Sequence, residues 1–153
     1  MKRFSFNLEK VLALRKFREN ESKTELGRVI AILAGIENEI KINAQSKKTA
    51  AVQRFAGVGT DTFIADPEDA RFEMQAWDNY IARLDLEAER LLKRAAEAEL
   101  VVEEKREIYL EASRDLKVME KLREKRVKEY RKEYFAEETH ELEDLRRGGE
   151  GRN

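Results

Sequence analysis

Alternate steps of four and three residues from Trp77 reach Ile81, Leu84, Ala88, Leu91, Ala95, Ala98, Val102, Lys105, Tyr109, Ala112, Leu116, Met119 and Arg123. All but Lys105 and Arg123 are apolar. A heptad repeat held this long predicts a helix that supercoils left-handedly against a partner. A shorter stripe through Leu26, Val29, Ile30, Leu33, Ile36 and Ile40 predicts an earlier helix with one apolar face. Between the stripes, Gly57 and Gly59 release the chain and Asp66-Pro67-Glu68-Asp69 restarts it. Asp66 can cap free amides, Pro67 suits the first helical position, and the acids after it favour the positive helix end. At the chain start, Asn7 is a candidate N-cap, with Phe6 and Val11 as a hydrophobic staple. At the far end, Arg146 and Arg147 suit a last turn and Gly148 a left-handed cap. The expected elements are helices at about 8–55 and 68–147, joined by a bend at about 56–67.

A short connection makes the two helices antiparallel neighbours. The expected fold class is therefore all-α: a long antiparallel two-helix coiled-coil hairpin, one elongated domain over 1–153. With the reversal centred near Asp61, facing positions have numbers that sum to about 122. Ile40 then lies near Ala82 and Arg83, Leu26 near Ala98, and Phe4 near Val118. Pairing ends around residue 120, leaving Leu122, Val127, Tyr130, Tyr134 and Phe135 in a tail without a partner in the chain. Exposed aromatic clusters mark interfaces, so Leu122, Tyr130, Tyr134 and Phe135 are expected to bind a partner. The other terminus changes character within a few turns. Phe4, Phe6, Leu8, Val11, Leu12 and Leu14 give way to a polar run ending at Lys23. A helix packed along one partner keeps its stripe, so the break suggests that this end meets something other than its own chain.

The composition fits this plan. Charged residues make up 41% of the 153, and there is one proline, so a long helical protein is favoured over a compact globule. Regularly spaced apolar residues argue against disorder. The absence of cysteine fits a reducing compartment and removes thiolate metal sites. No apolar run approaches the roughly 18 residues of a membrane span, so a cytoplasmic protein without direct membrane insertion is expected. The near-zero net charge hides a separation. Residues 1–18 hold Lys2, Arg3, Lys10, Arg15, Lys16 and Arg18 against Glu9 alone, residues 60–90 are mainly acidic, 117–132 are basic, and 133–144 are acidic. A hairpin joins the two basic blocks at its open end, which predicts an acidic partner with a receptive surface.

Enzyme chemistry finds no foothold. A two-stranded coil encloses no pocket of useful volume. Gly57-Val58-Gly59 follows a helix and lacks the spacing and Lys-Ser/Thr of a phosphate loop, so it reads as a turn. His140 stands among Glu137, Glu138, Glu141 and Asp144 without a second His or Cys, which reads as a solvated acidic face. No catalytic residue, cofactor or metal is expected. Trp77 and Tyr109 belong to the seam, whereas Tyr80, off the stripe, and Phe63, in the bend, are contact candidates.

The first residues resemble a known family. Phe4, Phe6, Leu8, Val11, Leu12, Leu14, Arg15, Glu19, Glu25 and Leu26 carry F-x-F-x-L-x-x-V-L-x-L-R, then E, then E-L, which is similar to the N-terminal signature of the bacterial flagellar export proteins called FliJ. The length, the two-helix plan and the Lys121–Lys125 stretch agree. The resemblance implies a non-enzymatic component of the flagellar type III export apparatus that is similar to the central stalk of rotary ATPases. Its partners would be the hexameric flagellar export ATPase, whose assembly and activity it promotes, the membrane export gate protein, and export chaperones that it escorts. It would be cytoplasmic and peripheral to the export apparatus. The resemblance implies ring contacts by Leu12, Leu14, Arg15, Arg18 and Glu19, with the polar run from Arg15 to Lys23 facing the ring lumen. It places the gate surface nearer the bend, where Tyr80 and Leu84 are the candidates. Two rival readings stand beside it. One is a general coiled-coil scaffold or adaptor that self-associates through its C-terminal tail. The other is a nucleic-acid clamp, weakened because Glu120, Glu124 and Glu129 interrupt the basic block; no nucleic acid is expected.

Overall fold

The computed structural model describes residues 3–56 and 66–150. They form two α-helices, α1 (Glu9–Ala56) and α2 (Pro67–Glu150), with no strand among the described residues. The fold is an all-α helical hairpin. Gly57, Gly59, Asp61 and Phe63 lie outside the described residues. The chain divides into two compact units, Met1–Lys23 with Glu107–Asn153, and Thr24–Arg106.

In the unit Thr24–Arg106, α2 starts as its sequence dictates. Asp66 Oδ1 accepts the amides of Glu68 at 3.2 Å and Asp69 at 3.4 Å, and Pro67 opens the helix where no amide is needed. The seam buries Val29, Ile36 and Ala50 of α1 with Leu91, Ala95 and Val102 of α2. Leu26, Leu33, Ile40, Trp77, Ile81, Leu84, Ala88 and Ala98 are half-buried beside them. Ile30, counted in the sequence stripe, is exposed, because the packed face runs through Val29 and Leu33. Asn43 is the buried polar residue of the seam, and its Nδ2 donates to the Leu84 carbonyl at 3.2 Å. That bond offsets the cost of burying an amide.

The register differs from the expected one. Four ion pairs cross the helices in this unit: Glu25 with Lys105, Glu39 with Arg94, Lys47 with Asp85 and Arg54 with Asp78. Their numbers sum to 130–133 rather than about 122. Ile40 is therefore level with Leu91 instead of Arg83 and Ala82, and Leu26 with Lys105 instead of Ala98. The first two turns of α2 lie past the level of Ala56, the end of α1. The shift is about ten residues along α2, one heptad plus a three-residue step of the stripe, a displacement that keeps an apolar a/d stripe on the seam.

In the other unit, Leu12 of α1 and Met119 of α2 are buried, with Tyr109, Ala112 and Leu116 half-buried. At the helix entry the Glu9 amide donates to the Phe6 carbonyl at 3.1 Å and the Leu12 amide to the Leu8 carbonyl at 2.9 Å. Asn7 is not the cap, because α1 begins at Glu9 and leaves Leu8 in the capping position. At the other terminus, α2 runs through Gly148 and Gly149 without a positive φ. Gly148 is thus a helical residue instead of a left-handed cap, since glycine accepts either backbone region.

Candidate partner-binding surfaces

The polar run of the head does not abandon the packed face. Leu12, Arg15, Glu19 and Ser22 follow one another at heptad spacing, and all are buried or half-buried. Each polar group whose bond is seen finds a local solution. Arg15 Nη1 donates to the Asp115 carbonyl at 3.0 Å, and the Ser22 hydroxyl lies 2.8 Å from the Arg18 carbonyl and 3.0 Å from that of Glu19. Glu9 and Arg123 add a cross-helix ion pair at 3.3 Å. The expectation that the whole run turns away from the chain's own seam is therefore corrected. A stripe can stay continuous in space while its chemistry changes from apolar to hydrogen-bonding.

The five head residues singled out from the resemblance consequently fall on two faces. Leu12 is 6% exposed, and Arg15 and Glu19 share its side. Leu14, at 48%, and Arg18 point outward. Beside them stands Phe17, at 64%, which the sequence reading passed over. Its signal was present: Phe17 lies three residues after Leu14, so the two are neighbours on a side of α1 away from the stripe.

The expected partnerless tail is partly partnered. The Phe4 ring lies 5.4 Å from that of Tyr130, and Leu122 and Val127 are half-buried. The register explains this, since α1 and the residues before it reach about ten residues further along α2 than expected. Phe4, Phe6, Leu8, Leu122, Arg126 and Tyr130 are among the walls of a cleft of about 700 Å³. The aromatic row continues from Tyr130 to Tyr134 at 6.4 Å and on to Phe135 at 6.1 Å. Tyr134 and Phe135 remain exposed, as do Leu142 and Leu145 beyond them. Both basic blocks of the sequence lie in this unit.

In the unit Thr24–Arg106, Tyr80 meets Trp77 edge-on at 6.0 Å, and the Arg83 guanidinium sits 5.8 Å from its ring centre. With Ser46, Thr49 and Ala50, the two rings line a shallow recess of about 470 Å³. Small side chains on α1 make this room. Leu84 is on the seam and half-buried, and its carbonyl holds Asn43. Among the described residues, no group of three or more acidic or histidine side chains is placed to hold a metal ion. Nor is any helix among them long and apolar enough to cross a membrane.

The aromatic head and the aromatic row of α2 thus stand together in one compact unit, and both fall within a single family match. The model for the flagellar FliJ protein family matches residues 4–145. The chain belongs to this FliJ family. Membership makes it a flagellar export-associated protein, and the matched span takes in both faces of the head, the recess and the aromatic row. No curated protein and no solved structure matches the chain.

Proposed function

We propose that this FliJ-family chain is a non-enzymatic, stalk-like component of the flagellar type III export apparatus. Its head, paired with α2, enters the hexameric export ATPase ring and promotes assembly and activity of that ring. The chain links the ATPase to the membrane export gate protein and escorts export chaperones, and it works in the cytoplasm, peripheral to the export apparatus. The observation that carries this reading is the family match over 4–145, which spans a head and an α2 segment packed in one compact unit. In this reading Leu14 and Arg18, joined by Phe17, make the ring contact from the outward face. Leu12, Arg15 and Glu19 hold that face in place from the packed side. Tyr134 and Phe135 extend the contact along α2, with Tyr130 and Leu122 as its anchored base. Tyr80, above the recess, is the gate contact, and Leu84 sets its position from the seam.

Electron microscopy of the cognate export ATPase, with and without the chain, tests the reading. The chain is expected to raise the fraction of ATPase in six-membered rings. An unchanged fraction at saturating chain would refute the ring role.

A further inference from the structure

The seam of the unit Thr24–Arg106 leaves a choice open. Sliding α2 by one heptad, about 10 Å, keeps apolar residues level with apolar residues: Ile40 would face Leu84 instead of Leu91, and Leu33 would face Leu91 instead of Ala98. After the slide Ala56, the end of α1, would stand level with Glu68, beside the first residue of α2. The hydrogen bond of Asn43 does not decide the matter, because a helix offers a carbonyl at every level. Surface charge does distinguish the two registers. In the observed one, Arg54 meets Asp78, Lys47 meets Asp85 and Glu39 meets Arg94. After the slide, Lys47 would still meet an acid, Asp78, but Arg54 would face Arg71 and Glu39 would face Glu87. Two attractions become two repulsions.

We infer that this charge ladder is a register lock, which selects one of two heptad-spaced alignments that the apolar seam accepts almost equally. Exposed pairs are individually weak, but two gained and two reversed together give a population ratio on the order of 10- to 100-fold. The lock is screened by salt, because every member of the ladder is solvent-accessible. It concerns the internal alignment of the hairpin and stands independently of the export role.

Spin labels at exposed positions 48 and 104 of the full chain read the register, since the slide lengthens their separation by about 10 Å. The wild-type chain is expected to give one short distance. The variant R71E/D85K/E87K/R94E makes two observed pairs repulsive and all three slipped pairs attractive at unchanged net charge. It is expected to move most molecules to the longer distance, and about 1 M salt should return part of that population. A wild-type distance in a fully helical variant would overturn the lock. A milder variant, E25Q/E39Q/K47Q/R54Q, removes all four cross-helix pairs of this unit without adding repulsion. It should show both distances, and a single short distance there would also overturn the inference.

Discussion

Leu91 and Leu92 are adjacent leucines that the hairpin treats in opposite ways. Leu91 is 2% exposed on the seam, and Leu92 is 58% exposed on the outer side of α2. Truncation to alanine removes three carbons at each site. At ~0.8 kcal/mol per buried methylene, Leu91→Ala should cost about 2.5 kcal/mol. The added cavity term should be smaller than in a globular core, because a two-helix seam is open at its flanks and can be filled by water. Leu92→Ala should cost under ~0.7 kcal/mol, with the better helix propensity of alanine offsetting part of it. Urea unfolding followed by far-UV circular dichroism measures both. Fluorescence of Trp77, the single tryptophan, reports the unit that contains both leucines. Equal losses for the two variants, or a larger loss for Leu92→Ala, would refute the assignment of the seam.

Two further outcomes follow from the structure. Gly27 and Gly35 lie inside α1 with open space where a Cβ would stand, so Gly27→Ala and Gly35→Ala should each stabilise by roughly 0.5–1 kcal/mol, read as a raised Tm. A drop in Tm for either would show that the glycine meets something in the folded chain. The Glu25 carboxyl is held below its ordinary value of 4.5, first by the hydrogen bond from Arg28 and then by the charges of Arg28 and Lys105. Glu124 is lowered in the same direction by Lys128. A depressed carboxyl adds stability that is present above its unfolded pKa and is lost as pH falls through the folded one. Carbon NMR titration should therefore place both transitions below 4.5, with the helix-surface pairs intact at neutral pH. A transition at or above 4.5 would contradict the pairing.

Much of this architecture was legible in the residues, for identifiable reasons. The long a/d repeat of α2 survives almost intact as the packed face, because no other arrangement hides so many evenly spaced apolar side chains. Asp66 and Pro67 start α2 as their chemistry dictates. The register was not legible, since an apolar seam repeats every seven residues and a slide of one heptad costs it little. The deciding terms are weak cross-helix charges, which cannot be paired before the register is known. The head misled for a related reason: hydropathy scores Arg15 and Ser22 as outward, yet a guanidinium can reach a backbone carbonyl and a serine hydroxyl can turn back onto its own helix. For the candidate surfaces, Tyr134 and Phe135 were singled out because aromatics stand out in a charged helix, and both are exposed. Phe17 was missed because it sits within the run that looked uniformly polar.

The proposed function makes the outward face of the head the part that engages the export ATPase. The direct measurement is the ATP hydrolysis rate of the cognate hexameric ATPase with the wild-type chain and with Leu14→Glu/Arg18→Glu, both at exposed positions of α1. The wild-type chain should raise the rate, and the double variant should lose that stimulation while its helical circular dichroism is unchanged. Equal stimulation by both chains, or none by the wild type, would contradict the claim.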